Sequence, residues 1–274
     1  MFIDFFCTLA GMQKKIYFPI HILALLLFIY SCSGKSNTVN EACIKKEEMT
    51  IKSRFIPPEG FTRVNASANS FHEYLQKLPL KTYGAEVRYY DGRIKKNNDV
   101  YCSVVDLPIG DRNLHECADA VMRLRAEYLY YQKRYSEIHF NFLSDGKPRY
   151  FKDYADGDYS EKKFRSYLNW IFAFANSASL HDEMKKVSDI KDIQPGDVLI
   201  QKKNPYGHAV IVVDMAKDAN GKKIVILAQS YMPAQELQIL INPNDSDLSP
   251  WYYLEEGDIH TPEWEFVSGH LKRF

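Results

Sequence analysis

The sequence has no excess of charge of either sign. Its 274 residues include 35 Lys and Arg and 35 Asp and Glu, so the formal net charge at pH 7 is zero. Proteins that bind nucleic acids need clustered positive charge against the phosphates, and this balance argues against DNA or RNA as a partner. With 46% hydrophobic and 26% charged residues, the composition is too apolar for a disordered chain. We therefore expect a folded protein that does not bind nucleic acid.

Motifs that hold metals, nucleotides or phosphates are missing as well. The sequence contains no His-Glu-x-x-His, no Cys-x-x-Cys and no EF-hand loop. Its 13 glycines are dispersed and form no phosphate-binding loop. We therefore expect neither a metal ion nor another cofactor.

An apolar run near the N-terminus has the pattern of a secretory signal. Lys14 and Lys15 precede residues 16–30, which are almost all apolar, but the run is short for a membrane-spanning helix. We predict a signal peptide over residues 1–31, with Met12 as an alternative start. An uncleaved signal anchor is the alternative for this segment. Both interpretations place the rest of the chain outside the cytoplasm.

Cys32 lies where a signal peptidase would cut, within Ile29-Tyr30-Ser31-Cys32-Ser33-Gly34. This segment resembles a bacterial lipobox, and the resemblance implies that Cys32 becomes the lipidated first residue of the mature protein. Polar residues 32–50 are expected to tether a domain to the membrane through that lipid. We predict an exported protein anchored to a bacterial envelope membrane, with its domain in the periplasm or at the cell surface.

Residues 51–274 are expected to form a single α+β domain. Periodicity predicts helices over residues 70–78, 164–175 and 180–187, and strands over residues 85–90, 100–107, 198–201, 209–214 and 223–229. The first two strands are predicted to form an N-terminal β-hairpin extension. Short turns between the last three strands predict an antiparallel meander. Helices followed by a meander indicate the α+β class.

A further helix is predicted to open at Asn113, with Glu116 three residues later completing a capping box. Cys117 then lies near the first turn, where unpaired backbone amides can lower the pKa of a thiol. Such a cysteine is a candidate nucleophile. The alternative is a structural thiol, because Cys117 also falls on the apolar stripe of this helix.

His208 is the candidate base, because it follows a glycine turn and opens a very apolar strand that holds the ring in place. If residues 218–221 form the hairpin loop, position 208 pairs with about position 231. Side chains alternate along a strand, so Gln229 shares the face of His208 and is predicted to orient the imidazole. The alternative for His208 is a turn histidine bonded to a nearby carbonyl.

The order of these features resembles the papain-like amidases of the NlpC and CHAP type, over about residues 110–232. The matching features are a cysteine at a helix start, Pro-Gly-Asp-Val opening a strand, Gly-His before an apolar strand, and a polar residue ending the next strand. The resemblance implies a papain-like core of helices packed on an antiparallel sheet. It also implies Cys117 as nucleophile, with its amide in an oxyanion hole, His208 as base and Gln229 as orienting residue. The implied substrate is an amide in a cell-wall peptide or glycopeptide.

The chain further resembles a family of bacterial lipoproteins that carry a domain of unknown function. The matching segments are Cys117-Ala118-Asp119-Ala120-Val121-Met122-Arg123-Leu124-Arg125, Gly207-His208-Ala209-Val210-Ile211-Val212-Val213-Asp214 and Ala228-Gln229-Ser230-Tyr231-Met232-Pro233-Ala234-Gln235. Two functions therefore stay open: a lipoprotein cysteine amidase or peptidase, and a catalytically silent envelope-binding lipoprotein on the same scaffold. An enzyme needs Cys117 accessible and within hydrogen-bonding reach of His208.

Overall fold

The computed structural model describes residues 39–274, and the predicted signal peptide and Cys32 lie outside them. The helices of the described part are α1 (Ile51–Arg54), α2 (Phe71–Gln76), α3 (Cys117–Tyr131), α4 (Phe151–Ala155), α5 (Glu161–Phe174) and α6 (Ser177–Glu183). Its strands are β1 (Thr62–Arg63), β2 (Tyr101–Val104), β3 (His139–Asn141), β4 (Pro148–Tyr150), β5 (Lys185–Lys186), β6 (Val198–Gln201), β7 (His208–Lys217), β8 (Lys223–Gln229), β9 (Gln238–Leu240), β10 (Trp251–Tyr252), β11 (Asp258–His260), β12 (Glu265–Val267) and β13 (Leu271–Arg273). No helix within residues 39–274 is long and apolar enough to cross a membrane.

A nine-stranded antiparallel sheet organises the fold. Its strands follow the order β2-β9-β8-β7-β6-β13-β5, with β1 also paired to β7 and β10 to β8. The predicted meander is the middle of this sheet, where β6, β7 and β8 are neighbours. Two small sheets, β3 with β4 and β11 with β12, lie outside it. The predicted α+β class with an antiparallel sheet is confirmed.

Both faces of the central strands are buried. On one face Ile211 and Ala228 belong to a core shared with α3 and α5. On the other face Val210 and Leu227 pack with Phe266 and other residues of the C-terminal segment. A strand covered on both sides has no position for water-facing side chains, so residues 209–213 of β7 are continuously apolar instead of alternating. His208, directly before this run, is taken out of water as well.

The predicted N-terminal β-hairpin is wrong. Strand β2 pairs with β9 in the main sheet and not with residues 85–90. The Asp91-Gly92 turn does form, but it closes only a short loop, with an isolated bridge between Arg88 and Ile94. The Asp91-Gly92 turn signal therefore predicted correctly where the chain reverses, but not which strand pairs with β2. The partner of β2 was decided instead by burial against a strand more than a hundred residues later.

The predicted helix over residues 180–187 is only partly correct. Helix α6 ends at Glu183, and the next residues form the edge strand β5, which pairs with β13. The helix predicted over residues 70–78 is observed as α2, and Ser70 Oγ accepts a hydrogen bond from the Glu73 amide at 3.1 Å. Capping chemistry is local, whereas an edge strand depends on a distant partner, here the chain terminus.

Residues 39–50, predicted as part of a tether, pack on the domain. Cys43 and Ile44 are buried in the core shared with the helices. The Asn40 amide donates to the Ser249 carbonyl at 2.9 Å. The folded unit therefore begins before residue 51.

An ion pair fixes the C-terminal strand to the turn that opens β6. Arg273 Nε donates to Asp197 Oδ1 at 2.6 Å, and its Nη2 donates to Oδ2 at 2.8 Å. Asp197 is fully buried, and Gly196 before it has a φ of +93°. A Cβ at Gly196 would lie 2.7 Å from the ring of Phe71, so the turn requires glycine on both counts.

Replacing Arg273 by Met should lower the free energy of unfolding by about 2–3 kcal/mol, because the buried Asp197 carboxylate loses its ion-pair partner; this is less than the roughly 3–5 kcal/mol for a fully buried pair, since the Arg273 side chain is 36% exposed. The matched control is Arg93→Met, which breaks the exposed pair with Asp91 and should cost less than about 1 kcal/mol. Urea unfolding of both variants measures the difference. Equal losses would contradict this account of the C-terminal strand.

Candidate functional site

Cys117 is the first residue of α3, and Glu116 is the N-cap. The predicted opening at Asn113 is wrong, because the Asn113 side chain is used elsewhere: its Oδ1 accepts from the Ala234 amide at 2.7 Å. Asp119 Oδ2 accepts from the Glu116 amide at 3.0 Å instead. The loop before α3 is thus fixed to the segment that follows β8, which brings Cys117 to the end of the central sheet.

The Cys117 thiol lies beside the start of β7. The backbone amides of Ala209 and Ala118 donate toward its sulfur and favour the thiolate, as the helix-start argument expects. Burial outweighs them and, with the Asp119 carboxyl nearby, raises the pKa of Cys117 to about 12. The expected lowering of the thiol pKa is therefore reversed, and Cys117 is a neutral thiol at pH 7.

His208 is the first residue of β7 and is buried. A Cβ at the preceding Gly207 would lie 2.0 Å from the Gln201 carbonyl oxygen and 2.9 Å from Ser177 Oγ, so only glycine fits. The imidazole packs against the rings of Tyr231 and Trp264, with centroid distances of 4.7 and 5.1 Å. Burial lowers the pKa of His208 to about 4, so the ring is neutral at pH 7.

Gln229 ends β8 and contacts His208, on the shared face that the sequence predicts. Gln229 Oε1 accepts from His208 Nε2 at 2.8 Å. The pairing of Ile211 with Ala228 places position 208 opposite position 231. The contact agrees with an orienting function for Gln229, which itself stays a prediction.

Two further residues continue this contact, and sequence reasoning missed both. Glu263, in the loop between β11 and β12, accepts from Gln229 Nε2 at 2.7 Å and from Lys95 Nζ at 2.6 Å. The Lys95 side chain is only 3% exposed. The sequence carries no signal for either residue, since Glu263 lies in a Thr-Pro-Glu-Trp loop and Lys95 lies in a polar stretch typical of a surface loop.

Cys117 and His208 line one cavity of about 600 Å³. Tyr231 and Trp264 contribute to its wall, and Tyr206 forms an exposed part of its rim. The volume is in the range of small-molecule and peptide side-chain sites. Among the described residues no hydrogen bond joins the Cys117 sulfur to His208, so the two groups share a cavity without forming a closed pair. Gln229 lies behind His208.

His115, two residues before Cys117, is the other buried imidazole near the start of α3. Neither of its ring nitrogens has a hydrogen-bond partner in the described part of the chain. Burial, together with the charge of Arg123, lowers its pKa to about 3. Its ring meets Phe172 edge-on at 6.1 Å. His115 is not among the residues lining the cavity, so His208 is the imidazole available to a substrate there.

The neutral imidazole of His115 predicts acid sensitivity. An unfolded histidine has a pKa near 6.5, so between about pH 6.5 and pH 4 the unfolded chain binds a proton that the folded chain does not, and stability falls as the pH falls. His115→Leu should remove roughly 1 kcal/mol per pH unit of this dependence. Groups such as Glu183, whose pKa burial raises to about 7, titrate equally in both proteins. Denaturant unfolding of both proteins at pH 5 and pH 6 gives the change in the free energy of unfolding per pH unit. The same change in the wild type and in His115→Leu would contradict the prediction.

Within residues 39–274, no group of three His, Cys, Asp or Glu side chains is placed to hold a metal ion. The chain matches no curated protein and no solved structure. A family model described as domain of unknown function (4846) matches residues 51–273, which is well over half of the chain. The match covers Cys117, His208, Gln229 and Glu263. The chain therefore belongs to the family of the domain of unknown function 4846.

Proposed function

We propose that this protein is a lipid-anchored cysteine amidase or peptidase that cleaves an amide bond in peptidoglycan or another peptide of a bacterial cell envelope. The observation that carries the proposal is that Cys117 and His208 line the same cavity. The hydrogen bond from His208 Nε2 to Gln229 supports the orienting function of the third residue. A papain-like core, with α3 packed on the sheet and Cys117 at its start, belongs to the same proposal.

The protonation states of Cys117 and His208 determine how such a reaction would begin. Because the pKa of Cys117 is raised to about 12 and that of His208 is lowered to about 4, both groups are neutral at pH 7. A stored thiolate–imidazolium pair is therefore not the resting state. The sulfur proton passes to His208 Nδ1 as the sulfur attacks the carbonyl carbon, so His208 acts as a general base during the attack.

The remaining steps use the same groups. Backbone amides at the start of α3 donate to the oxyanion that forms on the carbonyl oxygen. The imidazolium then gives its proton to the leaving amine nitrogen, the C–N bond breaks, and a thioester remains on Cys117. Water, deprotonated by His208, attacks the thioester and releases a carboxylic acid and the free thiol.

Substrate binding has to close the site for this chemistry. The thiol and the imidazole are not hydrogen-bonded in the structure, and catalytic contacts of this kind commonly tighten only in the substrate complex. A peptide that fills the cavity between Tyr206 and Trp264 would displace water and bring the two groups together. The proposed anchor at Cys32 would hold this cavity near the envelope polymer that it cleaves.

A catalytically silent envelope-binding lipoprotein on the same scaffold is the second candidate. The observation that favours it is the neutral Cys117 thiol, which forms no hydrogen bond with His208 among the described residues. In that case the cavity binds an envelope peptide, and Cys117 is part of its wall.

Digestion of purified peptidoglycan and its soluble peptides, with mass spectrometry of new amine and carboxylate ends, separates the two candidates. The wild-type chain should cleave, Cys117→Ala should be inactive, and His208→Ala should lose about 100- to 10,000-fold in rate. Cys102→Ala is the matched control, because that thiol lies in β2, outside the cavity. It should retain full activity.

Cleavage that survives Cys117→Ala would refute the cysteine mechanism. If the wild-type chain binds the peptides but does not cleave them, the binding lipoprotein is the correct alternative.

A further inference from the structure

The sheet places the Gln229 side chain next to His208 but does not determine whether the amide oxygen or the amide nitrogen faces the imidazole. A primary amide has an accepting oxygen on one side and a donating nitrogen on the other. The two ends are similar in size, so either could face His208. An amide oxygen there requires a proton on His208 Nε2, whereas an amide nitrogen requires a lone pair on that atom. Gln229 is only 1% exposed. The choice therefore depends on its protein neighbours.

Glu263 determines the orientation of the Gln229 amide. An ionised carboxylate accepts hydrogen bonds and donates none. Glu263 Oε2 lies 2.7 Å from Gln229 Nε2, so the amide nitrogen faces Glu263 and the amide oxygen faces the imidazole. The oxygen accepts, so His208 Nε2 must carry the proton and Nδ1 must carry the lone pair.

Lys95 also donates a hydrogen bond to Glu263. Its ammonium lies 2.6 Å from the same carboxylate oxygen, in a pair of which both members are largely buried. Asn97 Nδ2 donates to the other oxygen at 3.3 Å, from the surface. The carboxylate thus receives donors on both oxygens.

We propose that Glu263 is a positioning residue that sets the tautomer of His208 by fixing the orientation of the Gln229 amide. The inference deepens the function proposed above and rests on it for its consequence in catalysis. Only the tautomer with a lone pair on Nδ1 can accept the Cys117 proton. The opposite tautomer would present an N–H at that atom and could not act as a base.

The tautomer can be read directly from imidazole nitrogen chemical shifts in the full chain labelled with ¹⁵N-histidine, with His208 assigned by the loss of its signal in His208→Gln. At pH 7 the wild-type ring should be the Nε2-protonated tautomer, with the other form below about a tenth, since a hydrogen bond to a charged group favours one arrangement roughly tenfold. Glu263→Gln should raise the other form to at least a third, because a neutral carboxamide can donate as well as accept.

Asn97→Ala is the matched control, since it removes only the longer bond to the oxygen that does not contact Gln229. It should leave the tautomer unchanged. A folded Glu263→Gln protein with an unchanged tautomer would overturn the inference. The wild-type spectrum tests it without any variant, because an Nδ1-protonated His208 would overturn it even if Glu263→Gln failed to fold.

The readout also separates this inference from the proposed function. If the tautomer responds to Glu263 as expected but the wild-type chain cleaves no envelope peptide, the positioning of His208 stands and the amidase proposal fails. If the wild-type chain cleaves an envelope peptide but Glu263→Gln leaves the tautomer unchanged, the amidase proposal stands and the positioning role of Glu263 fails.

Discussion

Burial of the central sheet on both faces is the constraint from which the rest of the site follows. Strand β7 begins with His208, whose side chain is almost completely buried, so a charged ring there would be poorly solvated. The imidazole is therefore neutral and needs a hydrogen-bond partner within the protein. Gln229 supplies that partner, Glu263 satisfies the far side of Gln229, and Lys95 neutralises Glu263. Each of these largely buried polar groups thus has its hydrogen-bond partner in the next one.

The same burial decides the chemistry that the cavity supports. Cys117 receives favourable backbone amides from the start of α3 and from β7, but desolvation dominates and keeps the thiol protonated. A site of two neutral groups stores no reactive thiolate. In the proposed reaction, a bound substrate would bring the two groups together, and proton transfer would accompany the attack on the carbonyl.

Local signals in the sequence predicted the meander and the face shared by His208 and Gln229. The predicted pairing at His208 is correct only because two shifts in the register between β7 and β8 cancel each other. The loop after β7 is one residue longer than predicted, because Lys217 pairs with Lys223, and an irregularity between Val212 and Asp214 restores the register. The sequence gives no warning of either shift, since each depends on packing of the finished sheet.

Distant contacts were not predictable for a physical reason. Glu263 and Lys95 reach the site from loops separated by 168 residues, and no periodicity or turn signal links them. The predicted hairpin failed in the same way, because β2 found its partner in β9. The direction of the Cys117 pKa shift also depended on tertiary burial, which outweighs the helix start that the sequence does show.

The pH dependence of iodoacetamide alkylation of Cys117, followed by mass spectrometry of its peptide, tests the pairing of Cys117 with His208 most directly. If His208 takes the thiol proton, the reactive pair has the same number of protons as the resting neutral pair. This assisted route should give the wild-type protein a constant rate from about pH 5, above the His208 pKa of about 4, to about pH 7; at higher pH the free thiolate takes over, well below the thiol pKa of about 12. His208→Ala should replace this plateau with a rise of about tenfold per pH unit, as for an unassisted thiol. A tenfold rise per unit between about pH 5 and pH 7 in the wild-type protein, or labelling only after unfolding, would contradict the account.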